Sequence, residues 1–228
     1  MSLILGVPLL STGFEAVAID MPNYGMTQVA PHAKVTYTEW VNVANDFINS
    51  ELENDPRPIV LYGLSAGGLL TYHVAALNKK VKGIIGMTFI DQRLQQVRDE
   101  TCRNLFMSRV GHRKMWALCN DEAAMKIFMS DKTSAGAWTS MRFMSSYMSF
   151  TPALEPKDFD VCPVLLTQPM KDKWTPLHLS TPFLDRIAKL PVKIVELEDT
   201  GHYPVEEGGL KTMRNAIISF LKDIEASL

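Results

Sequence analysis

Apolar and polar positions along the chain change period several times, and the order of those changes predicts the architecture. Phe14-Glu15-Ala16-Val17-Ala18-Ile19 follows Gly13 and reads as a short strand ending at Asp20. Met21 to Ala33 is broken by Pro22, Gly25 and Pro31 into a loop. Thr36 and Glu39 have capping-box spacing, which predicts a helix start. Trp40, Val43, Ala44, Phe47 and Ile48 supply its apolar stripe, and Asp55-Pro56 ends it. Ile59-Val60-Leu61-Tyr62 is a continuous apolar run, the pattern of a buried parallel strand. A glycine-rich turn from Gly63 to Gly68 leads into an apolar helix, Leu69 to Leu77. Further strands are expected at Val81–Ile90, Val161–Thr167 and Val192–Leu197. A helix ending near Ala188 separates the last two, with Pro182 in its first turn. Leu210, Met213, Ile217, Leu221 and Ile224 keep helical spacing to the C-terminus.

Strands alternating with helices predict an α/β fold, a mostly parallel sheet flanked by helices. Gln92 to Pro156 breaks the alternation and reads as several helices. Residues 1–91 and 157–228 are thus expected to form the core, and 92–156 a helical cap over the sheet's C-terminal edge, where such sheets bind ligands. Seven of the 13 methionines fall in the cap, with Trp116 and Trp138. They suit an apolar subdomain interior and also an adaptable wall against an acyl or alkyl chain.

Composition narrows the function. The chain has 228 residues, 46% hydrophobic and 21% charged, with a formal charge of −2. That is enough chain to bury a core. The charge balance gives no electrostatic footprint for nucleic acid or a membrane surface. No apolar run has the length of a spanning helix. Cys102, Cys119 and Cys162 are an odd count without CxxC spacing, which fits a reducing, cytoplasmic setting. No His/Cys/carboxylate cluster has ligand spacing, so neither a metal nor another cofactor is expected.

The chemistry concentrates in Gly63-Leu64-Ser65-Ala66-Gly67. By chance alone G-x-S-x-G occurs in roughly one chain in a dozen of this length. Its position, after an apolar strand and opening a helix, makes it a nucleophile elbow. Ser65 would take strained backbone angles, with Gly63 and Gly67 removing Cβ atoms that would collide. The Ala66 N–H, at the helix N-terminus, is the natural first donor to an oxyanion. Ser65 needs a base. His202, in Asp199-Thr200-Gly201-His202-Tyr203-Pro204 after the last strand, is the expected one. His73 is expected in the core or on the surface, and His32, His112 and His178 carry no partner signal. Asp172, after the Val161–Thr167 strand, leads as the acid that orients His202. Asp91, at a strand end, is the alternative, and Asp199 more simply shapes its turn. Leu64, Trp138, Phe143 and Trp174 are candidates for the substrate pocket.

These motifs make the chain resemble the α/β-hydrolase fold family: the G-x-S-x-G elbow, Asp172 with Pro176 in D-x-x-x-P, and Gly201-His202. Gly13 to Asp20, with Pro22 and Gly25, is similar to the family's fourth strand and following loop. The cap is similar to the helical lid of esterase, monoglyceride-lipase and thioesterase members. The resemblance implies a serine hydrolase that cleaves a carboxylic ester, thioester or amide through an acyl-enzyme, on a small-molecule substrate with an apolar part. A cofactor-free relative with lyase or perhydrolase chemistry would share the triad. The family pattern has further strands and an H-G loop, source of the second oxyanion N–H, before the segment that begins here. Met1 to Thr12 is expected not to match them, so the fold reads as N-terminally shortened, either as a fragment or with a rebuilt sheet. Polar atoms near Gly6 or Asn23 are the candidates to stand in. The alternative this raises is a silent or truncated small-molecule binding module.

Overall fold

The computed structural model describes residues 9, 11–30, 34–110, 121–130 and 139–228, without the side chains of 105–110, 122, 125, 128 and 129. The sheet forms where the apolar runs lie. Strands β1 (Ile59–Gly63), β2 (Val81–Gly86), β3 (Val164–Pro169) and β4 (Val192–Leu197) pair in parallel, in that order. The helices are α1 (Tyr37–Asn54), α2 (Ala66–Leu77), α3 (Gln95–Val110), α4 (Glu122–Ser130), α5 (Met141–Met148), α6 (Thr181–Leu184) and α7 (Glu207–Glu225).

Alternation along the strands divides the core. Ile84, Val164 and Leu166 face one way, into a cluster with Tyr37, Trp40, Val41, Leu69 and Tyr72 of α1 and α2. Ile85, Leu165 and Leu197 face the other way, against Leu210, Met213, Ile217 and Phe220 of α7. The α1 entry matches the sequence: the Thr36 N–H donates to Glu39 Oε2 at 2.6 Å, closing a capping box. Its buried stripe differs from expectation. Tyr37, Trp40, Val41 and Ile48 are buried, whereas Val43 is exposed, because the i, i+4 row through Tyr37 and Val41 faces the neighbouring helices α2 and α5.

Other expectations need correction. Residues 14–20 are not a strand; they are irregular and largely exposed, with Val17 60% accessible. A strand needs a ladder partner, and among the described residues β1 pairs only with β2. Glu15 instead ion-pairs with Arg57 at 2.5 Å, and the Asp20 carboxylate caps the next turn at the Met26 N–H. Strand β2 stops at Gly86, not Ile90, and β3 begins at Val164 rather than Val161. The helix expected to end near Ala188 is only Thr181–Leu184, with Pro182 in its first turn.

Between β2 and β3 lie α3, α4 and α5. Phe143 of α5 packs against Trp40, ring centroids 4.6 Å apart and tilted by 57°, and Ser146 Oγ accepts the Tyr37 N–H at 2.8 Å, so α5 joins the core cluster. Met144 and Met148 are partly buried there and Met141 is exposed. Where the insertion leaves and returns, Arg93 bridges Asp91 (2.8 Å) and Glu155 (2.6 Å), and Arg186 reaches both carboxylates. No helix among the described residues is long and apolar enough to cross a membrane.

Candidate active site

Ser65 stands between β1 and α2 with φ 56° and ψ −125°, a backbone region that costs on the order of 1–3 kcal/mol outside glycine. Tight packing holds it there. A Cβ at Gly63 would sit 1.9 Å from the Gly67 carbonyl oxygen, and one at Gly68 would sit 2.1 Å from that of Thr88. The Thr88 hydroxyl donates to the Ser65 carbonyl at 2.9 Å, and the Met87 N–H donates to that of Gly63 at 3.1 Å. Gly67 differs from expectation: a Cβ there would meet nothing within 4 Å. The close approaches fall on Gly63 and Gly68. The Gly67 and Gly68 N–H groups donate to Leu64 and Ser65 carbonyls. The Ala66 N–H has no partner among the described residues and stands at the start of the helix, where it can meet a ligand.

Asp172 and His202 come together at the same sheet edge. Beyond the paired strands, the Met170 N–H donates to Leu197 and the Lys171 N–H to Thr200, joining the loops after β3 and β4. Asp172 Oδ1 accepts the N–H groups of Trp174 and Thr175, both at 2.8 Å. Asp172 Oδ2 accepts the Thr175 hydroxyl at 2.7 Å and lies 2.7 Å from His202 Nδ1. Both residues are buried, His202 to 2% exposure. Burial alone would raise the Asp172 pKa. The hydrogen bond and charge of His202, with the Thr175 donors, outweigh it and hold the carboxyl below its ordinary range.

The His202 loop is fixed from its own side. Glu206 accepts the N–H groups of Gly201 and Val205, and the Thr200 hydroxyl donates to the Glu198 carbonyl. A Cβ at Gly209 would lie 1.9 Å from Thr200 Oγ1, so α7 abuts the loop closely. The ends of β1 and β4 are three strand spacings apart, about 14 Å. Tyr203, raised to about 12 by burial, also senses Tyr24, which packs on Trp40 of α1 at 5.0 Å. Among the described residues Ser65 Oγ makes no hydrogen bond to His202. In unliganded sites of this type that bond is often long and tightens with substrate.

The other candidates are placed as follows. Asp91 is engaged by Arg93 and Arg186 and makes no hydrogen bond to His202 among the described residues. Asp199, at φ 53°, pairs with Lys171 of the neighbouring loop after β3. His73 is a core residue, 2.9 Å from the Tyr37 hydroxyl, and burial drives its pKa down to about 3. His178 has a partner the sequence did not signal, Glu100 of α3 at 2.8 Å. The Trp174 indole lies over the His202 ring at 5.5 Å, and its carbonyl accepts from Asn104 of α3. Leu64 is partly buried beside the α7 cluster. Phe143 is buried in the aromatic core, at a narrow cleft with Asn23, Tyr24 and Trp40. Trp138, Gly6, His32 and His112 lie outside the described residues. Thr175 was not anticipated. The signal for it was Asp172-x-x-Thr175 before a proline, the spacing of an aspartate that accepts N–H groups two and three residues on.

An open cavity of about 420 Å³ lies behind the Asp172 loop, lined by Pro169, Met170, Pro176, Leu177, His178 and Thr181. It holds none of the expected pocket residues. Among the described residues no group of three or more His, Cys, Asp or Glu is arranged to hold a metal ion.

Residues 2–211 match the model of the Alpha/beta hydrolase family. The match starts upstream of Gly13, where the sequence resemblance was expected to begin. No curated protein matches the chain. Among solved structures, a soluble variant of monoglyceride lipase from Saccharomyces cerevisiae, bound to a substrate analog, superposes with a TM-score of 0.68 at 14% identity, over 90% of this chain and 76% of that one. The monoacylglycerol lipase of Paleococcus ferrophilus gives 0.58 at 20% identity, over 81% and 76%. Rv0554 from Mycobacterium tuberculosis gives 0.65 at 16% identity, over 97% and 83%. With the family model covering most of its length, the chain belongs to the α/β-hydrolase family.

Proposed function

We propose that the protein is a serine hydrolase that cleaves a carboxylic ester, or a related thioester or amide, through an acyl-enzyme. The observation that carries this reading is the buried Asp172–His202 pair, 2.7 Å apart at Nδ1, on the sheet edge where the strained Ser65 turn stands. His202 Nε2 takes the Ser65 proton as Oγ attacks the acyl carbon. The C–O bond to the leaving group breaks as that proton is delivered to it. Water then repeats the sequence in reverse and releases the acid. Asp172 supports the imidazolium that forms in each half, and the Ala66 N–H stabilises the oxyanion. The substrate is a small molecule with an apolar part, a reading supported by the family and by lipases among its structural neighbours.

Incubation with a fluorophosphonate followed by intact-mass measurement tests it. One adduct, absent from Ser65→Ala and accompanied by hydrolysis of short-chain nitrophenyl esters, is the expected result. Folded protein that takes no adduct would instead support a silent binding module.

A further inference from the structure

The contacts around Asp172 involve a residue that the proposed triad does not include. Thr175 is 4% exposed and holds the carboxylate at both oxygens, its N–H on Oδ1 at 2.8 Å and its hydroxyl on Oδ2 at 2.7 Å. Its Oγ1 also lies 3.1 Å from His202 Nδ1. A hydroxyl has one proton to give. The ionised Oδ2, an acceptor only, is the nearer and stronger partner, so the proton lies there. Thr175 Oγ1 can then present only a lone pair to His202. Three acceptors would face one another across this corner if Nδ1 were bare. The arrangement is satisfied only when Nδ1 carries its hydrogen, shared between Asp172 Oδ2 and Thr175 Oγ1.

We infer that Thr175 is a positioning residue that fixes the His202 tautomer, keeping hydrogen on Nδ1 and the lone pair on Nε2. This rests on the proposed hydrolase reading for its catalytic consequence, not for its structural one. Thr175 is itself anchored: Gln168 Nε2 donates to its carbonyl at 3.3 Å, and Pro176 stiffens the chain after it. The groups that face His202 are Asp172, Thr175, Trp174 and Tyr203. Removing the hydroxyl takes a donor from Oδ2 and an acceptor from the Nδ1 hydrogen, so both sides of the Asp172–His202 contact lose a partner.

The test compares Thr175→Val, close in shape but without the hydroxyl, with Thr175→Ser, which keeps it. Thr175→Val should lower kcat about 10- to 100-fold, the rate equivalent of a hydrogen bond to a charged group. KM should change little. Thr175→Ser should keep most of the original kcat. A kcat within twofold in Thr175→Val, or equal damage in Thr175→Ser, would overturn the assignment. A readout independent of turnover is nitrogen-15 NMR of His202 in the otherwise intact protein and in the Ser65→Ala background. A single Nδ1–H tautomer is expected. The Nε2–H form, or a mixture before any change at position 175, would refute the inference even if the valine variant does not fold. Loss of fluorophosphonate labelling with a fixed tautomer would sink the hydrolase reading and leave this one standing.

Discussion

Asp172→Asn is nearly isosteric, and the hydrogen bonds around it dictate which way the new amide must face. Oδ1 is met by two backbone N–H groups, from Trp174 and Thr175, both at 2.8 Å. An NH2 group cannot occupy that position without leaving both donors facing another donor, which forfeits about 1 kcal/mol or more per bond. The amide oxygen therefore takes the Oδ1 place, and the NH2 replaces Oδ2, pointing at Thr175 Oγ1 and His202 Nδ1. His202 must then accept at Nδ1 and carry its hydrogen on Nε2, where the base is needed. The Thr175 hydroxyl, having lost its acceptor, can rotate to give its proton to Nδ1 and hold the inverted tautomer. The same substitution in the serine-protease triad lowers kcat about 10⁴-fold for this reason, and a loss of that order is expected here. Fold stability should change by no more than about 2 kcal/mol, because the two backbone donors keep their acceptor. Ester hydrolysis from pH 6 to 9, with urea denaturation of both proteins, measures the two quantities. More than a tenth of the activity remaining would refute the argument, and a larger loss from Asp91→Asn would transfer the acid's role to that residue.

The packing around the elbow separates two glycines that the motif treats alike. Gly63→Ala drives a Cβ into the Gly67 carbonyl, 1.9 Å away, and should abolish soluble expression or lower the melting temperature sharply; Gly67→Ala meets open space within a helix and should be neutral or stabilising by up to about 1 kcal/mol, so equal damage from the two would be a failure of this account. Acid sensitivity should begin at a buried histidine. His73 is neutral when folded, its pKa near 3 through burial, so the unfolded chain binds the proton first. Its contribution is complete above about pH 6.5 and is lost at up to about 1.4 kcal/mol per pH unit as pH falls toward 3. Chemical denaturation between pH 7 and 4 should show that slope and His73→Gln should flatten it; a level wild-type profile would contradict it. The depressed carboxyls of Asp91 and Asp172 add to the loss only below about pH 4.

How much could be read from the sequence depended on how local each cause is. The strand at residues 59–63 was legible as an apolar run, and that at 192–197 from its β-branched residues after Pro191. The elbow and His202 were legible because their loops follow strand ends. Residues 14–19 have strand composition but no strand, since pairing depends on a neighbour elsewhere in the chain. The burial of Val41 in place of Val43 is a rotation of one helix face, set by what α1 packs against. Gly68, Thr175 and the Arg93 bridge act through contacts far along the chain or through single hydrogen bonds, which periodicity does not register.

The bridge of Arg93 to Asp91 and Glu155 has a topological meaning. It brings the departure and return points of the insertion within one guanidinium of each other, so the excursion between β2 and β3 leaves the sheet and rejoins it at a single doorway. A segment attached in this way can lengthen, shrink or be replaced without altering strand order. What resists its removal is not the doorway but the segment around α5, where Phe143 packs on Trp40 and Phe143, Tyr147 and Phe150 surround Tyr37. A grafted replacement therefore has to bring two things: ends that meet, and a group of aromatic side chains to set against α1.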